Sequence, residues 1–314
     1  MLIALLIWIG NLLGWFLPYK ETHKKERKRA AKGLGLDLDE LARRLGLSPD
    51  ELAAFEPGYK VATIPKKRGG TRTLHIPDRE TKTLQRTILR KLLGKLKTHP
   101  TATGFDPGIS IAHNAGMHVG MAVVIKLDIK DFFPNTDAQR IDRYFRRVGW
   151  DAQCAALLTN LVTHNGGLPQ GAPTSPRLSN LVNYVLDSQI ERAAKKFKGT
   201  YTRYADDITI SYPKDYPRHV RGTVQSVRRE CKYHGYTVHT RGKLRIVRRH
   251  QQQRVTGLVV NDKVALPRDK RRWLRAVQHR LNTTGQASLT QEQLDGYKAL
   301  QHMIDTQAGQ GEPK

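Results

Sequence analysis

Residues 201–212 read YTRYADDITISY, and this stretch places two adjacent aspartates, Asp206 and Asp207, between runs of aromatic and β-branched residues. Such residues favour strands, and two strand-forming runs separated by a short polar step are typical of a β-hairpin. The stretch therefore predicts a hairpin with the acidic pair at its turn. Taken alone, an Asp-Asp pair is weak support for a site, because aspartate is common in ordinary turns.

A third carboxylate stands at the end of an earlier predicted strand. Residues 122–127 form a short apolar run, typical of a strand buried on both faces, and Asp128 follows it directly. The interval between Asp128 and Asp206 leaves room for a helix, which the Ser175-Pro176 start signal and an apolar repeat up to Ile190 predict. The two strands can therefore lie side by side, with the three carboxylates at one end of a sheet.

Three clustered carboxylates suit one particular chemistry. Nucleotidyl transfer needs an activated 3′-hydroxyl and a stabilised pyrophosphate leaving group, and two Mg²⁺ ions about 4 Å apart provide both. Mg²⁺ prefers hard oxygen ligands, which carboxylates offer. Bound cations would also offset the repulsion among Asp128, Asp206 and Asp207.

The composition points to a polyanionic partner. The 314 residues include 54 Lys and Arg against 28 Asp and Glu, a formal net charge of +26. Such an excess favours nucleic acid first and an anionic membrane surface second. A hydrophobic content of 39% excludes disorder throughout the chain. Cys154 and Cys231 have neither a CxxC partner nor a paired histidine spacing, which favours neither a zinc site nor a disulfide framework and fits a reducing compartment.

Two further stretches accompany the carboxylates: KLDIKDFFPN at residues 126–135 and LPQGAPTSP at residues 168–176. Together with YADD at residues 204–207, they resemble the ordered motifs of the reverse transcriptase family. The resemblance implies an RNA-directed DNA polymerase with an α+β right-hand fold, made of fingers, a palm whose antiparallel sheet carries YADD, and a helical thumb. It also implies two Mg²⁺ ions as cofactors, with Mn²⁺ as a substitute, and deoxynucleoside triphosphates as substrates.

The resemblance assigns the metal site residue by residue. It makes Asp128, Asp206 and Asp207 the catalytic metal ligands, with the Ile129 carbonyl as a further ligand. It makes Phe133 the bulky gate that collides with a ribose 2′-hydroxyl, whereas ordinary core packing is the alternative for this phenylalanine and its neighbour Phe132.

The nucleotide contacts are assigned in the same way. Gln170 would contact the incoming nucleotide, and Gly171 would allow close approach of the backbone. A basic hairpin that turns at Gly69-Gly70 places Lys67 and Arg72 where the family's fingers hold the triphosphate. Arg72 is the stronger candidate because a guanidinium fork matches phosphate oxygens, while Lys66 is an alternative to Lys67 and a solvated basic loop is the alternative for both.

Two short boxes resemble those of the retron reverse transcriptases. Residues 114–118, NAGMH, resemble the NAxxH box, and residues 255–257 match the VTG triplet. The resemblance implies that a cognate structured noncoding RNA is recognised by Asn114 and His118 and by the triplet residues Val255, Thr256 and Gly257. A lone Asn or His is more often a satisfied structural group, so this alternative stays open for the first box.

A last predicted helix, Arg268 to Leu281, would be the thumb. Its exposed arginines Arg268, Arg272 and Arg275 would contact the backbone of an A-form template duplex by charge and shape. As a retron enzyme, the chain would start DNA synthesis from an RNA 2′-hydroxyl, leave a branched multicopy single-stranded DNA (msDNA), and act with an effector protein in antiphage defence. A compact group II intron or diversity-generating reverse transcriptase is one alternative, and a catalytically silent RNA-binding scaffold is another.

The N-terminus is unusual for this pattern. Residues 1–18 are apolar apart from Asn11, and a basic run follows them. A bilayer-spanning helix needs about 17 to 25 such residues, so a membrane anchor is one interpretation, with the body held at the inner face of the cell membrane. A helix that docks on a partner protein and a misassigned start codon are the others. The expected location is otherwise cytoplasmic.

The chain is thus predicted to consist of six segments. They are an apolar segment (1–18), a basic linker (19–35), a helical extension (36–57), the fingers and palm (58–262), the thumb (263–305) and a polar tail (306–314).

Overall fold

The structure is a computed structural model that describes residues 36–65, 69–239 and 242–308. The apolar segment 1–18, the basic linker 19–35, the lysines Lys66 and Lys67, and tail residues 309–314 lie outside the described residues, so the predictions made for them stay predictions. Helices and antiparallel sheets are both present, as the α+β class requires. No helix within the described ranges is long and apolar enough to cross a membrane.

The helices and strands are numbered in chain order. The helices are α1 (Leu38–Leu45), α2 (Pro49–Ala53), α3 (Arg79–Ile88), α4 (Ile111–Gly116), α5 (Ala138–Val148), α6 (Ala152–Val162), α7 (Ser175–Val182), α8 (Tyr184–Lys195), α9 (Pro217–Tyr233), α10 (Arg268–Thr284) and α11 (Gln291–Ala308). The strands are β1 (Tyr59–Pro65), β2 (Thr71–Pro77), β3 (Val123–Asp128), β4 (Thr200–Tyr204), β5 (Asp207–Tyr212), β6 (Arg245–Arg248), β7 (Arg254–Val255) and β8 (Leu258–Val259).

These elements belong to two compact units. The first contains the described residues up to His99 together with Asp131–Tyr184, and the second contains Pro100–Lys130 and the described residues from Val185 onward.

The first unit is mainly helical around one apolar core. The predicted helical hairpin is present as α1 and α2, and Ser48 caps α2 in a reciprocal capping box with Glu51. Leu41 and Leu52 bury their side chains fully in the core of this unit. The predicted basic hairpin is present as β1 and β2, which pair antiparallel from Tyr59↔Pro77 to Pro65↔Thr71.

Two predicted helices are interrupted in the structure. The sequence predicts a helix from Glu80 to Lys97, but α3 changes at Leu89 to a single π-helical turn, and Arg177 donates to the carbonyls of Leu93, Gly94 and Leu96. The helix predicted from Ser175-Pro176 up to Ile190 is present but is interrupted at Asn183, because α7 ends there and α8 starts at Tyr184; the Asn183 side chain donates to the Ser179 carbonyl at 2.8 Å. Arg177 is distant in sequence from the first interruption, and Arg140, which donates to Asn183 Oδ1 at 2.6 Å, is distant from the second. Helical periodicity alone does not reveal such contacts.

The second unit is built on a four-stranded antiparallel sheet with the order β4-β5-β3-β6. β3 is central, and its residues Val123, Val124 and Ile125 are fully buried. The sequence also predicts a strand at residues 255–260, but residues 254–259 form the separate hairpin β7–β8 and are not part of this sheet. The edge beside β3 is formed instead by β6, whose sequence RIVR gave no strand prediction. Three of its four residues are exposed, as an edge strand permits.

The remaining elements of the second unit share a small core. Ala112 and Ala115 of α4 pack in one apolar cluster with Val255, Leu258 and Ile304. Ile304 belongs to a second helix of the predicted thumb segment, α11, which follows α10. This helix extends to Ala308, whereas the thumb was predicted to end at residue 305. Its few buried residues, Leu294 and Ile304, gave too weak a periodicity to predict it.

Candidate active site

The pairing of β3 with β5 brings the three aspartates to one end of the sheet. Asp128 is the last residue of β3, and its register partner is Asp207, the first residue of β5. Directly opposed residues of an antiparallel pair have Cβ atoms about 4.5 to 5.5 Å apart. The N–H of Ile129 donates to the Asp206 carbonyl at 2.9 Å, which fixes the strand end against the turn. The backbone ladder alone therefore assembles the carboxylate cluster predicted from the sequence.

The tight turn before β5 presents Asp206. β4 ends at Tyr204, and Ala205 adopts a left-handed backbone with φ 56° before the chain enters Asp206. This conformation is costly for a residue with a Cβ, so surrounding contacts must hold it. A strained turn carrying an acidic side chain is a common feature of functional sites.

The environment of the cluster disfavours three negative charges. Burial raises the pKa of Asp206, and the nearby Asp128 carboxylate raises it further. Burial also raises the pKa of Asp207, although Lys126 opposes that shift. Since both effects come from desolvation and like charge, a bound cation would relieve them.

Three basic side chains contact the carboxylates, and the sequence analysis missed them. Lys243 Nζ lies 2.6 Å from Asp128 Oδ1, and His239 Nε2 lies 3.4 Å from the same oxygen. Lys126 Nζ lies 3.9 Å from Asp207 Oδ2. Lys126 could have been found, because it precedes Asp128 by two residues and so shares its face of β3. Nothing in the sequence alone indicates that Lys243 or His239 reaches the site.

The donor set fits magnesium in its chemistry. Asp128, Asp206 and Asp207 supply hard carboxylate oxygens, and the Ile129 carbonyl belongs to the residue whose N–H anchors the turn. The positively charged Lys243 ammonium group already forms an ion pair with the Asp128 carboxylate. Over residues 36–65, 69–239 and 242–308, no group of three or more His, Cys, Asp or Glu side chains is arranged to hold an ion as it stands. A metal would therefore have to draw the Asp128 carboxylate away from Lys243.

The two adjacent phenylalanines of the first unit have different surroundings. Phe132 is buried, and its carbonyl accepts a hydrogen bond from Thr136 Oγ1 at 2.8 Å. Phe133 is only partly buried and packs at the edge of the core. Both phenylalanines therefore pack against other apolar residues, and Phe133 is the more exposed of the two.

The other predicted nucleotide contacts lie around β2 in the same unit. The Gln170 carbonyl accepts from the His75 N–H at 2.9 Å, which ties the LPQG stretch to β2. Gly171 has φ 127°, and a Cβ there would lie 2.9 Å from the His75 carbonyl oxygen. Its lack of a side chain is thus required by the protein's own backbone, whatever else approaches it. Arg72 is exposed on β2.

The NAxxH box supports the sheet from inside. Asn114 and His118 are 1% and 0% exposed, so neither side chain is available to an RNA on the surface. His118 Nδ1 lies 2.7 Å from Ser211 Oγ, and Nε2 lies 2.8 Å from Thr202 Oγ1. The imidazole thereby joins β5 to β4, the two strands of the YADD hairpin. This burial speaks against direct RNA contact by these two residues and favours the structural alternative.

The VTG triplet forms the turn of the β7–β8 hairpin. Thr256 and Gly257 both have positive φ, 47° and 88°, which is the geometry of a type I′ turn. A β-branched residue rarely adopts it, and the Thr256 hydroxyl donates to the Ile111 carbonyl of α4 at 3.0 Å. Val255 is fully buried, whereas Gly257 is exposed and Thr256 partly so. Only the last two residues of the triplet can meet a ligand.

The predicted thumb arginines are accessible. Arg268, Arg272 and Arg275 are all exposed on α10. Arg268 and Arg275 line a cavity of about 460 Å³ whose other side is formed by Tyr297 and neighbouring residues of α11. α10 thus presents a positively charged face that a polyanion can reach.

The chain is similar to known proteins along most of its length. The profile of the family described as "Reverse transcriptase (RNA-dependent DNA polymerase)" matches residues 64–260. The retron Mx162 reverse transcriptase of Myxococcus xanthus is 36% identical, over 91% of this chain and 68% of the relative. The retron Mx65 reverse transcriptase of the same organism is 37% identical, over 79% of this chain and 61% of the relative. The retron Ec86 reverse transcriptase of Escherichia coli is 34% identical, over 71% of this chain and 70% of the relative.

His118 predicts a pH dependence of stability. Burial, together with the charge of Lys126, lowers its pKa from 6.5 to about 3 in the folded protein. Stability is full above pH 6.5 and falls as the pH drops from there towards the folded-state pKa, because the unfolded chain binds a proton that the folded protein does not bind. At pH 5 the difference amounts to about 2 kcal/mol.

Denaturant unfolding at pH 7.5 and pH 5 measures this effect. The His118→Gln variant should start less stable but lose less stability between the two pH values than the wild-type protein. His250→Gln, which changes an exposed histidine, should behave like the wild type. An equal pH dependence in His118→Gln and the wild type would contradict the burial of a neutral imidazole.

Proposed function

Since the chain belongs to the retron-type reverse transcriptases and is an RNA-directed DNA polymerase, we propose that it copies a cognate structured noncoding RNA into DNA by two-metal nucleotidyl transfer. The main support for this mechanism is the register of β3 and β5, which pairs Asp128 with Asp207. The hydrogen bond from the Ile129 N–H to the Asp206 carbonyl adds to it. Reverse transcriptases depend on divalent metal in general, and Mg²⁺ with Mn²⁺ as a substitute fits the oxygen donors of this cluster.

The three aspartates would hold the metal ions. Asp128 and Asp206 would be the principal ligands, Asp207 would support them, and the Ile129 carbonyl would add a further oxygen. When bound, the ions activate the primer hydroxyl and stabilise the pyrophosphate that leaves. Lys126 Nζ lies 3.9 Å from Asp207 Oδ2, and its positive charge opposes the rise in the pKa of Asp207 that burial causes.

Residues of the first unit would select the incoming nucleotide. Phe133 is proposed as the gate against a ribose 2′-hydroxyl, supported by its partial exposure beside a buried Phe132. Gln170 and Gly171 are proposed nucleotide contacts, and Arg72 with Lys67 would bind the triphosphate. The exposure of Arg72 supports its part of this proposal, and Lys67 rests on the family resemblance alone.

RNA recognition would use the second unit. Thr256 and Gly257 are reachable at the β7–β8 turn, and Arg268, Arg272 and Arg275 are exposed on α10. Asn114, His118 and Val255 would contribute indirectly, by holding α4 and the hairpin in place. The formal net charge of +26 supports binding of a long polyanion.

The product would be that of a retron. Synthesis would start from the 2′-hydroxyl of an internal guanosine of the RNA and leave a branched RNA–DNA molecule, msDNA, which would act with an effector protein in antiphage defence. The retron names of the similar proteins favour this proposal over a group II intron or diversity-generating enzyme. The complete carboxylate set disfavours a catalytically silent scaffold.

Removal of the acidic pair should abolish polymerisation. The double variant Asp206→Ala/Asp207→Ala loses carboxylates that metal catalysis needs, so primer extension on an RNA template with Mg²⁺ should fall by at least about a thousandfold, or about 4 kcal/mol. Asp262→Ala changes an exposed aspartate far along the chain and should leave extension unchanged. Synthesis retained by the double variant would refute the metal site.

The gate residue can be tested in the same assay with ribonucleotides. Phe133→Ala opens space for a 2′-hydroxyl and should raise ribonucleotide incorporation relative to deoxynucleotide by about tenfold or more. Phe132→Leu, a change in the buried neighbour, should keep the wild-type discrimination. If discrimination changes only in the Phe132 variant, the gate belongs to that residue instead.

Nucleic acid that copurifies with the protein tests the retron assignment. We expect a single-stranded DNA joined to RNA that shortens on treatment with a 2′,5′-debranching enzyme. Replacing Arg268, Arg272 and Arg275 by Gln should reduce the copurifying RNA, whereas the same loss of charge at Arg218, Arg221 and Arg229 of α9 should reduce it less. Linear DNA without a branch would favour the group II intron or diversity-generating alternative.

A further inference from the structure

A fully buried ion pair lies directly beneath the YADD turn. Asp187 of α8 and Arg203 of β4 are both 0% exposed. The guanidinium donates to both carboxylate oxygens, from Nε to Oδ1 at 2.8 Å and from Nη2 to Oδ2 at 2.7 Å. The Tyr201 hydroxyl donates to Asp187 Oδ1 at 2.7 Å, so the carboxylate has three donors. This is a complete, bidentate arrangement without water access.

The third arm of the same guanidinium reaches the catalytic turn. Arg203 Nη1 donates to the Ala205 carbonyl at 3.1 Å. Ala205 is the residue with the left-handed backbone, and its carbonyl belongs to the peptide that leads into Asp206. The side chain of Arg203 therefore holds the strained peptide whose orientation decides where the Asp206 side chain points.

The backbone of Arg203 is fixed from the neighbouring loop. Its N–H donates to the Thr101 carbonyl at 2.8 Å, and its carbonyl accepts from the Thr103 N–H at 2.9 Å. At Gly104 the loop approaches so closely that a Cβ would lie 3.0 Å from the Ala205 nitrogen. The turn is thus bounded by backbone on one side and by the guanidinium on the other.

A gain in stability does not by itself explain why an ion pair is buried at this position. Desolvating two charges offsets most of their attraction, so a buried ion pair is often no more stabilising than apolar residues of the same volume. An apolar pair, however, could not donate to Ala205. Arginine is also required by geometry, because a lysine has no planar fork that can serve Asp187 and a third acceptor together.

We propose that Asp187 and Arg203 are positioning residues that set the Ala205-Asp206 peptide, and through it the metal affinity of the carboxylate cluster. Asp187 orients the guanidinium, and the guanidinium orients the turn. Neither residue touches substrate or metal, since Arg203 lies on the face of the sheet opposite to Asp207. This inference rests on the two-metal function proposed above.

Binding of Mn²⁺ alone, followed by its electron paramagnetic resonance signal, tests the proposal on the full-length protein without nucleic acid. Arg203→Met should weaken Mn²⁺ binding about tenfold or more, and Asp187→Asn should weaken it similarly. Arg203→Lys keeps a charge next to Asp187 but lacks the third arm, so we expect an intermediate loss. In primer extension, raising Mg²⁺ should restore part of the activity of these variants, whereas it should not restore Asp206→Ala/Asp207→Ala.

Thr223→Val is the matched control. It removes another buried hydrogen bond of the same sheet, the one that joins Thr223 to the Tyr212 hydroxyl at 2.5 Å. Thermal unfolding should show a loss of stability that is smaller than that of Arg203→Met, because a neutral hydrogen bond is lost and no buried charge is left unpaired, and Mn²⁺ binding should equal that of the wild type. A purely structural role for the ion pair predicts instead that the control and the Arg203 variants lose metal affinity in proportion to their loss of stability.

The possible results distinguish a failure of the positioning role from a failure of the proposed metal site. If the wild type binds Mn²⁺ and Asp206→Asn does not, the metal site stands, and unchanged binding in Arg203→Lys and Asp187→Asn would then refute the positioning role alone. If Asp206→Asn binds Mn²⁺ as the wild type does, the metal site itself is refuted. Should Arg203→Met fail to fold, the Lys and Asn variants decide the question.

Discussion

The antiparallel pairing of β3 with β5 is the constraint on which the active site depends. One register brings Asp128 opposite Asp207 and lets the Ile129 N–H reach the Asp206 carbonyl. Because side chains alternate along a strand, a shift by one residue would turn Asp128 to the opposite face of the sheet. Core packing prevents such a shift, since it would turn the Lys126 side chain to the face on which Ile125 and Leu127 are buried. Core packing and the geometry of the carboxylate cluster are therefore fixed by the same set of contacts.

Buried polar groups then hold the hairpin on both faces of the sheet. On the face of the carboxylates, neutral His118 joins Thr202 to Ser211 and so locks β4 against β5. On the other face, Arg203 is held by Asp187 and reaches the turn at Ala205. Each of these groups has hydrogen-bond partners that offset its desolvation. Such networks define a single geometry more sharply than apolar packing does, and here they fix the turn that carries Asp206.

The second unit also links the two retron boxes physically. The Thr256 hydroxyl bonds to the Ile111 carbonyl at the start of α4, the helix that carries Asn114, and Val255 packs in the same cluster as Ala112 and Ala115. Ile304 of α11 closes that cluster. The NAxxH box is therefore an internal support for the sheet and for the VTG turn. Of the residues in the two boxes, Gly257 is exposed and Thr256 partly so, whereas Asn114, His118 and Val255 are buried.

The sequence by itself determined the elements that bring the three aspartates together. Strand-forming residues and turn signals predicted the YADD hairpin and the basic hairpin, and a short apolar run predicted β3. Asp128, Asp206 and Asp207 lie at the ends of the strands predicted in this way. Local pattern could not reveal β6, since RIVR is an exposed edge strand, or α11, whose buried positions are few. It also could not distinguish Phe132 from Phe133, place His118 inside the sheet, or bring Lys243 to Asp128. Those features depend on contacts between residues far apart in the chain, which only the tertiary structure decides, because burial and hydrogen-bond partners are set by packing and not by sequence neighbours.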